Sequence, residues 1–144
     1  MEGFFLNSVR ARVADLRGRG VYSGYPNQYR CIFMHIPKAA GTSVSTSLFG
    51  SGSRHLRYTE YQRANAKKFE NYFKFSFVRN PWDRLYSAYS FLKGGGMNEM
   101  DARWAHENLR DYPDFPSFVR SWVTTDNIWN WVHFKPQNYF VCDD

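Results

Sequence analysis

The chain carries, at residues 31–49, the sequence CIFMHIPKAAGTSVSTSLF. Its first four residues are apolar, which is typical of a short buried strand. The small and hydroxyl-bearing residues further on favour a helix that ends at Phe49, with Thr42 or Ser43 as the N-cap. The stretch therefore predicts a strand, a tight loop and a helix in succession.

The same order recurs downstream. Residues 73–78, FKFSFV, predict a second strand, and Pro81 suits the first turn of the helix that follows. One face of that helix is expected to be apolar and to carry Trp82, Leu85, Tyr86, Tyr89 and Leu92. Further helices are predicted at residues 59–69, opened by a capping box at Thr59 and Gln62, and at residues 98–109 and 115–123. Strands that alternate with helices indicate an α/β fold with a parallel sheet.

Length and composition limit the class of protein. At about 100–200 residues per domain, 144 residues allow one domain, and 43% hydrophobic with 19% aromatic residues excludes a disordered chain. The apolar runs are too short for a membrane span, and a secretory signal pattern is absent, so a soluble cytoplasmic protein is expected. The net charge of +6 favours anionic ligands or surfaces.

Residues 1–20 are expected to form an amphipathic helix ahead of a main domain at residues 21–144. Its apolar positions are Phe5, Leu6, Val9, Val13 and Leu16. Such a face favours docking on the domain or on a partner subunit over a membrane-surface role, so a homo-oligomer is one expectation.

The two cysteines, Cys31 and Cys142, lie far apart in the sequence and have no CxxC spacing. They are therefore interpreted as two buried thiols in a reducing compartment rather than as a disulfide or a metal site.

The loop before the first long helix has the features of an anion site. A strand that leads into a helix N-terminus presents unpaired amides and the positive end of the helix dipole. Gly41 allows close approach of the backbone, Thr42 and Ser43 add hydroxyl donors, and Lys38 adds an ammonium. Lys38 precedes the glycine, unlike the lysine of a Walker A loop, which disfavours ATP or GTP hydrolysis. The alternative is a capped turn with an exposed lysine.

A second anion site is predicted where the second strand ends. Arg79 lies at the carboxyl end of that strand, where open α/β sheets bind ligands. Ser87 lies away from the expected apolar face of the following helix, so both side chains are candidates for a second phosphate. The alternatives are a salt bridge from Arg79 to Asp83 and a solvated Ser87.

Two of these segments resemble a known family. Residues 35–43, HIPKAAGTS, look like the 5′-phosphosulfate loop of the carbohydrate-type sulfotransferases (sulfotransferase family 2), which use 3′-phosphoadenosine 5′-phosphosulfate (PAPS). Residues 77–89, FVRNPWDRLYSAY, look like the family's 3′-phosphate segment. Residues 133–137, HFKPQ, with Tyr139 and Cys142 after them, are similar to its aromatic-x-Pro-Gln segment.

The resemblance implies a P-loop-like three-layer fold, with a central parallel β-sheet flanked by helices, and a sulfotransferase-like nucleotide-binding domain at residues 21–144. Lys38 would stabilise the leaving bisphosphate, and Arg79 and Ser87 would hold the 3′-phosphate, by a scheme that requires no metal. The cofactor-binding residues that it implies are Lys38, Ala39, Ala40, Gly41, Thr42, Ser43, Arg79 and Ser87.

The acceptor hydroxyl needs a general base, for which a histidine or a carboxylate is suited. The resemblance favours His55, with Glu60 as second choice; the alternative for His55 is an ordinary loop histidine. His35 is expected to brace the loop, His106 to be solvated, and His133 is a candidate for lining the acceptor cleft.

The resemblance implies a transferase whose acceptor is a carbohydrate or a small molecule. The alternative is a protein that binds PAPS or 3′,5′-adenosine bisphosphate without transferring anything. Nucleic-acid binding is not expected, because no recognisable module accompanies the positive charge. Family members continue well past the Pro-Gln segment, so a chain that stops at Asp144 is expected to be a shortened or a minimal member.

Overall fold

The computed structural model describes residues 2–142, and the side chains of residues 9–142. The elements in chain order are α1 (Glu2–Leu16), α2 (Tyr25–Tyr29), β1 (Cys31–Phe33), α3 (Gly41–Phe49), α4 (Tyr58–Ala64), α5 (Ala66–Asn71), β2 (Phe73–Phe75), α6 (Pro81–Lys93), α7 (Glu99–Leu109), α8 (Phe115–Ser121), a 3-10 turn (Asn127–Trp129) and α9 (Asn138–Val141). None of the described helices combines the length and the apolar character needed to cross a membrane.

The two strands form a parallel pair, which confirms the mixed helix and strand character. Cys31 lies opposite Phe73, and Phe33 lies opposite Phe75. The Met34 N–H donates to the Phe75 carbonyl at 3.0 Å, just beyond the last paired residues. The prediction that β2 extends to residue 78 is wrong, because β1 has ended and no longer offers backbone partners.

The starts of two helices differ from the sequence expectation. α3 begins at Gly41 with Ala40 as N-cap, not Thr42 or Ser43, because Ala40 takes a left-handed conformation and its carbonyl accepts the first helical bond, from Val44, at 3.1 Å. α4 begins at Tyr58, where the Glu60 carboxylate accepts the backbone N–H of Arg57 at 2.8 Å. The capping box predicted at Thr59 and Gln62 is therefore wrong.

The single helix predicted at residues 59–69 is two helices, α4 and α5. Asn65 separates them in an extended conformation, with φ −161°. Its Oδ1 accepts the backbone N–H of Lys68 at 3.1 Å, and its Nδ2 donates to Asp15 Oδ2 at 2.9 Å. A side chain that caps α5 and also contacts α1 thus stabilises the break.

α6 starts at Pro81, as predicted, and the Asn80 side chain caps it by accepting the Trp82 N–H at 2.9 Å. Its buried face differs from the predicted one. Trp82 and Tyr86 are exposed, at 72% and 55%, whereas Arg84 is buried. The remaining buried residues of the helix are Ala88, Tyr89 and Leu92. The inward face is therefore rotated relative to the apolar stripe in the sequence, and it includes a charged side chain.

The described chain divides into two compact units. The first comprises the residues up to Ile36, Ala40–Phe77 and the residues from Gln137 onward. Its larger buried cluster consists of Tyr22, Ile32, Met34, Tyr58, Tyr61 and Ala64. The single O–H of the fully buried Tyr22 is shared between the carbonyls of Tyr61, at 3.0 Å, and Asn65, at 3.2 Å, and so contacts the end of α4.

Within the first unit α1 packs against α4 through a partly polar side. The Asp15 carboxylate is buried there and accepts Lys68 Nζ at 2.9 Å. Val9, Val13 and Leu16 are exposed, so the apolar face predicted to dock does not pack on this unit. Docking on a partner subunit stays a prediction, and the side chains of Phe5 and Leu6 lie outside the described ones.

The second unit comprises Pro37–Ala39 and Val78–Pro136. Its core is aromatic and joins α6, α7, α8 and the segment that leads to Phe134. The buried members are Ala88, Tyr89, Leu92, Trp104, Ala105, Leu109, Phe118, Trp122 and Phe134. Asp101 is buried beside this core and accepts the Trp131 indole N–H at 3.2 Å.

The two cysteines are both free thiols. Cys31 is buried in β1, as predicted, but Cys142 is exposed, which corrects the expectation of two buried thiols. Cys142 is the C-cap of α9 and not part of a strand as Cys31 is, and its thiol lies 3.5 Å from the Asn138 carbonyl of its own helix.

Replacing Tyr22 by Phe should lower the free energy of unfolding by about 1 kcal/mol, because the hydrogen shared by the Tyr61 and Asn65 carbonyls is lost while the ring remains. Urea denaturation monitored by circular dichroism measures the change. Tyr72→Phe is the matched control, since the Tyr72 hydroxyl bonds Asn27 at an exposed position. Equal effects of the two substitutions would contradict a stabilising role for the buried Tyr22 hydroxyl.

Candidate functional site

The loop after β1 is braced by histidine contacts within the first unit. His35 is buried, and its Nδ1 shares a 2.8 Å hydrogen bond with Ser53 Oγ. The His35 and His55 rings lie 4.2 Å apart, edge to face. The prediction that His35 is a bracing residue is confirmed.

The tautomer of the His55 imidazole follows from its partner. His55 Nδ1 lies 3.2 Å from the carbonyl oxygen of His35. A carbonyl can only accept, so Nδ1 carries the hydrogen in this bond. In the neutral ring the lone pair is then on Nε2, which is the atom able to take a proton.

Gly41 is required by the packing of the loop. A Cβ added there would overlap the His35 imidazole, with both the Cδ2 and Nε2 atoms inside contact distance. The ring therefore occupies the place that a side chain would take at the start of α3. This is a second reason for glycine, in addition to the close approach of a ligand expected from the sequence.

The first turn of α3 lacks a capping side chain. The first helical bond runs from Val44 N–H, so the amides of Gly41, Thr42 and Ser43 occupy the turn in which no intrahelical acceptor exists. Ala40, the N-cap, contributes no side-chain hydrogen bond. The positive end of the α3 dipole thus coincides with three amides suited to an anion.

The backbone of the loop is strained at two residues that are not glycine. Lys38 has φ 65° and Ala40 has φ 61°. A left-handed conformation costs an L-residue roughly 1–2 kcal/mol. Such strain persists only where surrounding contacts hold it, and it is concentrated at functional sites.

Contacts in the second unit hold the Lys38 side chain. Its Nζ lies 3.6 Å from the centroid of the Phe91 ring, a close cation–π contact. Burial lowers the pKa of Lys38 below its usual value; the negative charge of Asp101 opposes that shift, and Arg79 adds to it. The ammonium is therefore half-buried and poised over an aromatic face, not a freely solvated lysine.

Two guanidinium groups hold the backbone around Lys38. Arg79 Nη1 donates to the Lys38 carbonyl at 3.4 Å, and Arg84 Nε donates to the Pro37 carbonyl at 2.8 Å. Arg84 is only 6% exposed. The segment Pro37–Ala39 thus carries one cationic side chain, Lys38, and its backbone is contacted by two more, Arg79 and Arg84.

Ser87 lies in α6, four residues before Phe91, so the two side chains emerge on the same side of the helix. It is half-buried. The structure places it outside the set of buried residues of α6 and on the helix that carries the Lys38 contact.

The remaining base candidates have other roles in the structure. Glu60 caps α4, and His106 is exposed on α7, as predicted for a solvated histidine. His133 is buried, with Nε2 3.6 Å from Asp101 Oδ1 and its ring against Phe91. His133 therefore lies beside the core of the second unit, and its place in an acceptor cleft stays a prediction.

Three residues that position these groups were not identified from the sequence: Ser53, Arg84 and Phe91. Phe91 had a detectable signal, because it follows Ser87 at helical spacing. Arg84 had a weaker one, as a second arginine in the segment that starts at Arg79. Ser53 had none, since its partner is a histidine on another element.

The comparison with protein families agrees with this geometry. A model described as the sulfotransferase family matches residues 25–144. The chain belongs to the sulfotransferase family. The matched part of this sulfotransferase starts at α2 and includes the loop that carries Lys38 and the segment that carries Arg79. No curated protein and no solved structure matches the chain.

In this sulfotransferase, Gly41→Ala should lower the free energy of unfolding by about 1–3 kcal/mol, because the new methyl group displaces the His35 ring. Gly52→Ala is the matched control: a Cβ there meets nothing within 4 Å, so a change below about 0.5 kcal/mol is expected. Urea denaturation measures both.

The double variant Gly41→Ala/His35→Ala should be less destabilised than the sum of its two single variants, since the overlap is then removed. Additive losses would show that His35 is not what excludes a side chain at residue 41.

Proposed function

We propose that this sulfotransferase transfers the sulfuryl group of PAPS to a hydroxyl of a carbohydrate or small-molecule acceptor. The observation that carries the proposal is the half-buried ammonium of Lys38, held over Phe91 in a strained loop that leads directly into the uncapped first turn of α3. A cation and a set of amides that adjoin along the chain suit a phosphosulfate group.

The 5′-phosphate is proposed to bind the first turn of α3. The amides of Gly41, Thr42 and Ser43 donate to it, and Ala39 together with the left-handed backbone of Ala40 brings them to the ligand. The absence of a side-chain cap from Ala40 supports this role, because a capping side chain would occupy one of these donors.

The 3′-phosphate is proposed to bind Arg79 and Ser87. The Arg79 guanidinium is exposed, and its Nη1 donates to the Lys38 carbonyl at 3.4 Å. A guanidinium is planar and carries several N–H donors, a geometry that suits a phosphate. Ser87 adds a neutral hydroxyl donor from α6.

Lys38 is proposed to stabilise the leaving group. In the transfer, the bond from sulfur to the oxygen that bridges it to phosphorus breaks, and a bond from sulfur to the acceptor oxygen forms. The electron pair of the broken bond stays on the bridging oxygen, where the Lys38 ammonium donates a hydrogen bond. By analogy with phosphoryl transfer, positioning and cationic stabilisation supply most of the rate enhancement.

His55 is proposed to accept the proton of the acceptor hydroxyl at Nε2, with Nδ1 held by the His35 carbonyl. The loop immediately before it, residues 51–54, lines a mostly polar cavity of about 210 Å³ together with Arg19 and Tyr25. This cavity is the proposed neighbourhood of the acceptor. The scheme uses no metal ion.

The finer architecture follows from the same proposal. The parallel strands β1 and β2, with α3 after the loop, are proposed to be part of the P-loop-like three-layer fold that the family resemblance implies.

The first prediction of this proposal concerns affinity. 3′,5′-adenosine bisphosphate should bind more tightly than adenosine 5′-monophosphate, because only the former reaches Arg79 and Ser87. Arg79→Ala should weaken bisphosphate binding by about 1.5–3 kcal/mol, and Ser87→Ala by about 1 kcal/mol. Isothermal titration calorimetry measures these affinities.

Arg103→Ala is the matched control, because Arg103 is exposed and pairs with Glu107 on α7. Equal affinity of the wild-type protein for the two nucleotides would remove the 3′-phosphate site from the proposal.

A second prediction concerns the transition state. Lys38→Ala should lower transfer about 100-fold or more, because negative charge develops on the bridging oxygen only as the bond breaks. Bisphosphate binding should weaken only several-fold. A sulfate transfer assay from PAPS to a panel of glycans and alcohols, run beside bisphosphate titrations, measures both.

Lys67→Ala, an exposed lysine of α5, serves as control. The wild-type rate should also fall on the alkaline side at a pH below the ordinary lysine pKa, because burial lowers the pKa of Lys38 and the deprotonated amine no longer stabilises the anion. Full transfer by Lys38→Ala would refute the mechanism.

A further inference from the structure

Arg84 is a buried cation without a counter-ion among the described side chains, those of residues 9–142. Its side chain is 6% exposed, and its Nη2 atom is buried with no hydrogen-bond partner. Its one hydrogen bond runs from Nε to the Pro37 carbonyl at 2.8 Å. Burial lowers the pKa of Arg84 to about 10, which reflects the cost of keeping this charge away from water.

A purely structural role does not account for this arrangement. The hydrogen bond to the Pro37 carbonyl needs only an N–H donor, which a neutral side chain at residue 84 could also supply. A buried charge that lacks an opposite charge costs free energy, and replacing it by a neutral residue is often neutral or stabilising. The charge of Arg84 therefore works against the stability of the ligand-free protein.

The surroundings of Arg84 indicate what offsets the free-energy cost of burying its charge. Arg84 contacts Pro37, Arg79 contacts Lys38, and Lys38 is itself cationic, so three positive charges converge on one short segment of the second unit. The charge of Arg79 lowers the pKa of Lys38, so these two cations repel each other. Burial strengthens the interaction of such charges with a nearby anion, because the effective dielectric constant is low.

We propose that Arg84 is a positioning residue whose fixed positive charge serves the bound nucleotide rather than the fold. Its hydrogen bond to the Pro37 carbonyl places the guanidinium next to Lys38 in the chain, and its charge stabilises the phosphates that bind at this loop. The inference rests on the proposed function, since it assumes a phosphate-bearing ligand at Lys38.

Two substitutions separate the charge from the hydrogen bond. In Arg84→Gln the amide nitrogen occupies the position of Nε along the side chain, so a donor to Pro37 is kept and the charge is lost. In Arg84→Lys the charge is kept and that donor position is occupied by carbon. Titration with 3′,5′-adenosine bisphosphate and urea denaturation without ligand are measured for both variants and for the wild-type protein.

Arg84→Gln is expected to bind the bisphosphate about tenfold or more weakly while its ligand-free stability is unchanged or higher. Arg84→Lys is expected to bind within about threefold of the wild-type protein. A structural role predicts the reverse: normal affinity in Arg84→Gln, and loss of stability without its hydrogen bond in Arg84→Lys.

The inference is overturned if Arg84→Gln binds as tightly as the wild-type protein, or if Arg84→Lys loses as much affinity as Arg84→Gln. If Arg84→Gln does not fold, Arg84 serves the fold, and the inference is overturned as well. If the wild-type protein itself does not bind the bisphosphate, the proposed function fails, a result distinct from wild-type binding that is insensitive to residue 84.

Discussion

The hydrogen bond from Arg84 Nε to the Pro37 carbonyl places a buried positive charge at the segment on which the proposed chemistry depends. It anchors the residue before Lys38 from a buried position on α6. Lys38 follows in a left-handed conformation that its own side chain does not favour, and its ammonium is then held over Phe91. The left-handed backbone of Lys38 and its ammonium over Phe91 thus follow directly in the chain on the residue that Arg84 contacts.

The distribution of charge supports the proposal that the loop serves ligand binding. Lys38, Arg79 and Arg84 all contact or belong to the Pro37–Ala39 segment and its immediate surroundings. The charge of the Asp101 carboxylate opposes the lowering of the Lys38 pKa by burial. The oxygens of Asp101 already accept hydrogen bonds from the Trp131 indole and the Met97 backbone. The local charge is therefore positive, as a site for a bisphosphate requires.

Features that depend on local chemistry were predicted from the sequence. The strand and loop at residues 31–41 and the start of α6 at Pro81 follow from apolar runs, proline and glycine, which act within a few residues. The candidate anion site was identified in the same way, because its motif residues adjoin along the chain. His35 was also interpreted correctly as a bracing residue.

Features that depend on distant partners were not predicted. β2 ends early because β1 has ended, and the break at Asn65 is stabilised by Asp15 of α1. The inward face of α6 includes Arg84 because the Pro37 carbonyl lies there, which no periodicity in α6 indicates. The cation–π contact of Lys38 with Phe91 likewise joins residues far apart in the sequence.

The most direct test is a crystal structure of the protein with 3′,5′-adenosine bisphosphate. The account predicts the 5′-phosphate on the amides of Gly41, Thr42 and Ser43, with Lys38 Nζ turned to it, and the 3′-phosphate on Arg79 and Ser87. A bisphosphate bound at another place, with Lys38 still over Phe91 and no phosphate on the first turn of α3, would contradict it.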